Sequence, residues 1–445
     1  MWEHASFDSP MAFEDLDMHG VPLARCGNGD DKMEMEVAVV NGPIQGYICV
    51  VGSFFAMFST FGWLNSLGLF QTYYEETLLA TYSASEISWI FTFQFFLMFA
   101  GGAFFGRIID TYGTRWVSMP CAILMTASIA LMSLSTKYHQ IFLSQALGFG
   151  LGSAGLFSCC MISTAQWFHK RKALALGIVA AGSGTGGIVH PIYLHMLIDK
   201  VGFASAVRWS ALIIGITSTI AVLLMKTRLP PKKWDHDACF IDLSLLKQLP
   251  FTLYCIGTFL VLWGLLAPWN YLPSMAITHG FSQNMAVYSI VTLNAGSVLG
   301  RVVPPYLADS LGRFNVLSVI SLLAGILFLT FWLSLEITNN STHAQILAFG
   351  AVYGFASGAW ITLIFPCCAD LGSVKTLGQR FGVYQVVGGL AALTGLPIQG
   401  ALISQDGGKF THLIIFSGVC VMAGAGVLCF ACMSGLGKSG SRFRG

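Results

Sequence analysis

The sequence predicts an all-α membrane protein of twelve transmembrane helices in two pseudo-symmetric six-helix bundles, and three observations predict it. Of the 445 residues, 55% are hydrophobic and only 10% are charged, against roughly 25% charged in soluble domains. Cut at charges, prolines and polar clusters, the apolar stretches fall into twelve segments, each near the roughly 20 residues that a bilayer core of about 30 Å requires. An Asp, Gly, Arg arrangement follows the second segment and recurs 199 residues later, after the eighth. Recurrence near half the chain length, at the same place in a six-helix count, marks a duplicated bundle.

Residues 1–43 carry nine acidic side chains but only Arg25 and Lys32 as basic partners, so they read as a disordered acidic tail. They lack the basic start and apolar stretch of a cleaved signal, and the first membrane helix is expected to direct insertion. The N-terminal bundle, 44–225, holds segments near 44–70, 85–106, 115–135, 139–165, 173–198 and 205–225. A polar linker, 226–250, with Arg228, Pro230, Pro231, Lys232, Lys233 and Lys247, separates it from the second bundle, 251–433. That bundle holds segments near 251–275, 285–307, 314–334, 343–367, 379–402 and 410–433, followed by a short tail, 434–445.

Basic residues are retained on the cytoplasmic side during insertion. With both termini inside, 19 Lys and Arg residues fall on the cytoplasmic side, and Lys137, Lys200, Arg208 and Lys409 fall opposite. The plasma membrane is the expected location. Asn340-Ser341-Thr342 then lies outside as a possible glycosylation sequence. A net charge of +2 offers no basic field for nucleic acid. The twelve cysteines sit almost all in apolar runs, without a second Cys pair or His partner at zinc spacing, and read as small packing residues; no metal or cofactor is expected.

In the first repeated loop Asp110 precedes Gly113 and Arg115; in the second Asp309 precedes Gly312 and Arg313. A carboxylate at a helix end can pair with an Arg across a tight glycine turn, forming a latch that breaks and reforms as two halves rock. The stretch Lys170, Arg171, Lys172 feeds a glycine-rich helix with Gly182, Gly184, Gly186 and Gly187. The basic knot is expected to anchor at lipid phosphates and the glycines to admit a neighbouring backbone. No Gly-Lys-Ser/Thr ending follows, so this is no phosphate loop.

The paired Asp-x-x-Gly loops resemble those of the major facilitator superfamily. Trp167-Phe168-His169-Lys170-Arg171-Lys172-Ala173-Leu174-Ala175-Leu176-Gly177-Ile178 is similar to its monocarboxylate-transporter family, in the fungal branch. Gln71-Thr72-Tyr73-Tyr74-Glu75, Ile87-Ser88-Trp89-Ile90 and Asn294 to Arg301 add to the resemblance, which spans about residues 41–435. It implies alternating access around a midplane site, with helices one and seven beside the cavity. Lactate and pyruvate carriers of that family have a Lys in helix one, where this chain has Asn65, and an Asp one turn before the helix-eight Arg, where it has Ser297. The entry motif is altered too, to Asn41-Gly42-Pro43.

Intramembrane polar groups are site candidates because burying them in lipid is costly. Arg301 either holds a carboxylate or enolate solute or snorkels to the cytoplasmic phosphates. Asn294, seven residues earlier, shares its helical face, and Asn65 faces them from helix one; each Asn alternatively bonds a neighbouring carbonyl. His190 either carries a coupling proton or sits neutral against a neighbour. Trp263, Trp269, Tyr271 and Trp360 line a large cavity or form an interfacial belt.

The expected activity is secondary active export of an organic-acid-like metabolite, driven by a proton or solute gradient. Its alternatives are proton-linked uptake of a monocarboxylate or a vitamin such as riboflavin, and a solute receptor with a transporter fold. The expected partners are a small organic solute, anionic in the favoured reading, protons and the bilayer, with the chain a monomer. Neither Gly-x-Ser-x-Gly nor His-Glu-x-x-His is present, so an enzyme is not expected.

Overall fold

The computed structural model describes residues 44–168, 171–228, 243–338, 341–372 and 377–433. The two tails, His169 and Lys170, linker residues 229–242, Asn340 and Lys375 lie outside the described residues. Twelve helices among the described residues are long and apolar enough to cross a membrane. In the N-terminal half they are α1 (Ile44–Gln71), α2 (Glu86–Tyr112), α3 (Arg115–Met132), α4 (Tyr138–Trp167), α5 (Lys172–Val201) and α6 (Phe203–Leu224). In the C-terminal half they are α7 (Leu249–Thr278), α8 (Gln283–Leu311), α9 (Arg313–Thr338), α10 (His343–Asp370), α11 (Leu377–Gln405) and α12 (Thr411–Met433).

Local signals explain where several of them start and stop. Ahead of α2, Ser83 and Glu86 form a reciprocal capping box, and Thr342 and Gln345 do the same ahead of α10, satisfying amides that a helix start leaves bare. At their far ends α2 runs on to Tyr112 and α8 to Leu311, several residues beyond the sequence expectation. Each stops at a glycine of positive φ, Gly113 at 83° and Gly312 at 97°, a conformation costly for other residues. Asp110 and Asp309 therefore sit in the last turns of their helices, a correction to the expectation that they lie in loops.

The bundles meet through α2 against α11 and α5 against α8, the pairing required by a twofold that exchanges the halves. Small residues permit the approach: a Cβ on Gly177 of α5 would overlap the Arg301 carbonyl of α8, and within the N-terminal bundle one on Gly182 would overlap the Phe54 carbonyl of α1. Helices α3, α6, α9 and α12 turn apolar side chains outward, among them Trp116, Leu223, Val319 and Phe430, as a lipid solvent demands. Eight of the ten described cysteines are buried, and all ten are unpaired, in keeping with a packing role.

Helices α1 and α7 break midway, and they correspond in the six-helix count. In α1 the regular helix ends at Ser59 and resumes as Phe61–Leu64 and Leu67–Tyr73. In α7 it breaks between Leu249–Leu265 and Ala267–Thr278, next to Pro268, which has no amide to continue the ladder. Broken helices leave backbone groups and side chains turned toward an interior cavity rather than toward lipid.

Candidate functional site

Between the bundles lies a cavity lined by both helix breaks: Leu64, Asn65, Leu67 and Gly68 from α1, and Leu266, Trp269 and Asn270 from α7. Most of the remaining wall is aromatic or aliphatic. Its floor, toward the end that carries Arg107, Lys172 and Arg313, is an aromatic cluster in which Phe157 meets Phe365 across the bundle interface at 5.5 Å between centroids. Phe61 and Tyr384 extend the cluster, at 5.0 Å from Phe157 and 5.9 Å from Phe365.

One charged side chain is in the lining. Arg301 of α8 is 3% exposed, and its Nη1 donates to the Ala180 carbonyl at 3.1 Å and to the Ser183 hydroxyl, both on α5. Nε has no acceptor, and among the described residues the guanidinium forms no ion pair. Its burial against α5 excludes the snorkelling alternative. An arginine held by neutral groups in a low-dielectric wall keeps most of its field available to an incoming anion.

Below the floor, the basic end is closed by charges that are paired. The amides of Ala173 and Leu174, in the first turn of α5, donate to the Asp309 carboxylate of α8 at 3.1 and 3.0 Å. A carboxylate there meets the positive end of the helix dipole and satisfies amides that no residue of the helix can. Arg313 holds the same carboxylate at 2.8 Å and grips both oxygens of Asp370 at 2.7 and 2.8 Å. Lys172 reaches Asp370 from the other bundle at 3.7 Å. The Asp309 contacts with the α5 amides, the Lys172–Asp370 pair and the Ser158 to Gln385 hydrogen bond at 3.3 Å join the bundles on the basic side of the cavity, while Arg313 ties Asp309 to Asp370 within the C-terminal bundle.

The repeat does not copy this arrangement in full. Asp110 of α2 lies against the first turn of α11, where a Cβ on Gly378 would overlap its Oδ2, so each motif Asp faces the start of a helix in the opposite bundle. Arg115, however, is exposed and forms no ion pair with Asp110. It opens α3 directly after the Gly113 turn and points away, whereas Arg313 turns inward to Asp370. The Asp110–Arg115 pairing expected from the sequence is thereby corrected.

The other sequence-derived candidates separate. Asn65 lines the cavity and donates to the Ser183 carbonyl at 3.2 Å. Asn294 is buried, donates to Ile290 within its own helix at 3.0 Å, and packs with Asn65 against Gly187. It is absent from the cavity lining, so of the expected trio only Arg301 and Asn65 border the cavity. His190 bonds the Phe58 carbonyl through Nε2 at 3.1 Å and the Tyr193 hydroxyl through Nδ1 at 3.0 Å, entirely inside the N-terminal bundle. A carbonyl only accepts, so Nε2 bears the hydrogen and both nitrogens are satisfied; the geometry matches the neutral, bonded alternative.

Lys172 is buried at the bundle interface rather than anchored at lipid phosphates, because the closed basic end brings Asp370 to it; Arg171 beside it is exposed. Of the four aromatics, Trp269 and Trp360 line the cavity, while Trp263 and Tyr271 bond Thr394 and the Leu396 carbonyl of α11. Asp370 was not singled out in the sequence, although its place at a helix end shortly before Arg380 was a usable signal.

The family model of the Major Facilitator Superfamily matches residues 46–396. The chain is 42% identical over 398 residues to the MFS-type transporter hasB of Aspergillus fumigatus, covering 86% of this chain and 88% of that one. It is 36% identical over 410 residues to the aspyridones efflux protein apdF of Emericella nidulans, covering 91% and 81%. Among solved structures, the human organic anion transporter MFSD10 superposes with a TM-score of 0.65 at 14% identity, over 88% of this chain and 99% of that one.

Proposed function

This chain belongs to the Major Facilitator Superfamily, and we propose that it exports an anionic organic secondary metabolite by alternating access, Arg301 being the group that recognises the charge. Membership makes it a secondary transporter rather than an enzyme. The observation that carries the substrate reading is a buried guanidinium in the wall of an aromatic cavity with no carboxylate partner among the described residues. Export as the direction is supported by the relative named as an aspyridones efflux protein.

Within the superfamily the motifs favour the neighbourhood of the monocarboxylate-transporter family, with a different solute. Asn65 and Ser297 stand where that family's relay places Lys and Asp, and most of the cavity wall is apolar. The basic end is taken as cytoplasmic, on the Lys and Arg distribution, and the membrane as the plasma membrane. In that orientation the Asp309–Arg313–Asp370 cluster and Asp110 latch the inner side while the cavity faces outward. A proton gradient or the solute's own gradient drives the cycle, with the chain acting as a monomer.

The test is made in the organism that carries the chain. Its removal, followed by return of wild-type or Arg301→Gln protein, is monitored by mass spectrometry of metabolites inside and outside the cells. Wild type is expected to raise the outside-to-inside ratio of at least one anionic aromatic metabolite about ten-fold or more, and Arg301→Gln to fail at equal membrane abundance. Ratios indifferent to the chain would remove export, and full rescue by Arg301→Gln would remove the role of Arg301.

A further inference from the structure

Several residues of the cavity wall carry hydrogen-bond donors without acceptors, and they lie on one side. Trp269 of α7, Trp360 of α10 and Tyr384 of α11 line the cavity together with Arg301, and Trp269 Nε1, Trp360 Nε1, Tyr384 Oη and Arg301 Nε are all buried without a hydrogen-bond partner. An indole N–H and a guanidinium N–H can only donate. A buried donor left unmade is costly, and native interiors rarely tolerate several together without a ligand or water to answer them. All four belong to the C-terminal bundle. The facing N-terminal wall, including Met57, Phe61, Leu64, Phe95, Phe99 and Phe157, is mostly apolar, its polar side chains Asn65 and Ser183 already being bonded to α5 and to Arg301.

We propose that the cavity is an acceptor-seeking site for a flat, apolar-bodied solute that carries, besides its anionic group, at least one further carbonyl-type oxygen on the same edge. This rests on reading the cavity as the solute site. The anionic group meets Arg301 of α8, the additional oxygens meet the Trp360, Trp269 and Tyr384 donors, and the ring system lies against the phenylalanines of the N-terminal bundle. Aromatic walls reward a planar body through area and ring contacts. The oriented donors confer discrimination, since a solute without matching acceptors leaves them desolvated and unpaired. A simple monocarboxylate, with one acceptor group and little apolar surface, fits only the Arg301 corner.

Two acids on one fused-ring frame separate these terms. Anthracene-2-carboxylate carries the charge alone, and anthraquinone-2-carboxylate adds two carbonyl acceptors to the same skeleton. Equilibrium binding of each is measured to the full chain in lipid nanodiscs. Anthraquinone-2-carboxylate is expected to bind about ten-fold tighter, as one or two neutral hydrogen bonds allow. Trp360→Phe and Tyr384→Phe, singly and together, should bring that ratio toward one; Trp269→Phe serves as a third variant if either fails to reach the membrane. Arg301→Gln should weaken both acids and leave the ratio standing. A wild-type ratio near one, or a ratio that survives the double variant, would overturn the acceptor inference. Indifference of both acids to Arg301→Gln would instead overturn the anion reading, and no binding of either acid would overturn both.

Discussion

Lys172, Asp309 and Arg313 at the basic end, with partly exposed Asp370, and Arg301 in the cavity wall are charged side chains held between the helices, yet the two regions satisfy them in opposite ways. At the basic end each charge meets an opposite one, and Asp309 also meets the start of a helix from the other bundle. In the cavity, among the described residues, Arg301 meets a carbonyl and a hydroxyl through Nη1, and its Nε has no acceptor. Complete pairing specifies one arrangement of the bundles. Incomplete pairing leaves Arg301 free to meet a ligand's charge, as proposed above.

The largest effect is expected where pairing is complete. Asp309→Ala leaves Arg313 short of one anion and the α5 amides without an acceptor, and breaking a buried pair costs about 3 kcal/mol or more. The closed basic end should lose most of its population, read as a lengthened distance between spin labels at Tyr112 and Leu311, exposed residues ending α2 and α8. An unchanged distance distribution would show that the cluster does not hold the bundles together. In the cavity, Arg301→Gln should leave that distance alone and weaken anthracene-2-carboxylate binding by about 10- to 100-fold, the loss of a charge-assisted hydrogen bond.

A smaller effect separates packing from recognition. A Cβ on Gly187 would overlap the amides of Asn65 and Asn294, so Gly187→Ala should cost about 1–3 kcal/mol in thermal unfolding. Gly68, with open space at its Cβ position, should accept Ala within about 0.5 kcal/mol. Equal shifts for the two would refute the contact geometry around α5. Smallest of all is Arg115→Gln, expected within about 0.5 kcal/mol of wild type in stability and neutral in the label distance, in contrast to Arg313→Gln. A matching loss for Arg115→Gln would restore the symmetric latch that the sequence suggests.

The unequal fates of the two motif arginines show what a linear sequence can and cannot carry. The apolar runs declare the twelve helices because lipid admits little else, and charge sorting and the repeated Asp, Gly, Arg loops declare the halves. Arg301 and Asn65, which border the cavity, were legible as candidates because polar groups within such runs stand out. Orientation was less legible. Helices α5 and α8 are apolar or small on nearly every face, so periodicity could not tell that His190 turns into its own bundle, or that Asn294 faces Gly187 rather than the cavity. Trp269 and Trp360 read equally well as a membrane-interface belt. The seating of Asp309 on the first turn of α5 joins residues 136 positions apart, and no local pattern announces it.

The central claim, that the cavity recognises an anion through Arg301, is tested most directly by a matched pair of solutes that differ in charge alone. Uptake of labelled anthracene-2-carboxylate and of anthracene-2-carboxamide into inside-out vesicles is compared for wild type and Arg301→Gln. Wild type should carry the acid at least about ten-fold faster than the amide, and Arg301→Gln should erase that preference at equal protein abundance. Equal rates for acid and amide in wild type, or an acid preference that persists in Arg301→Gln, would contradict the account.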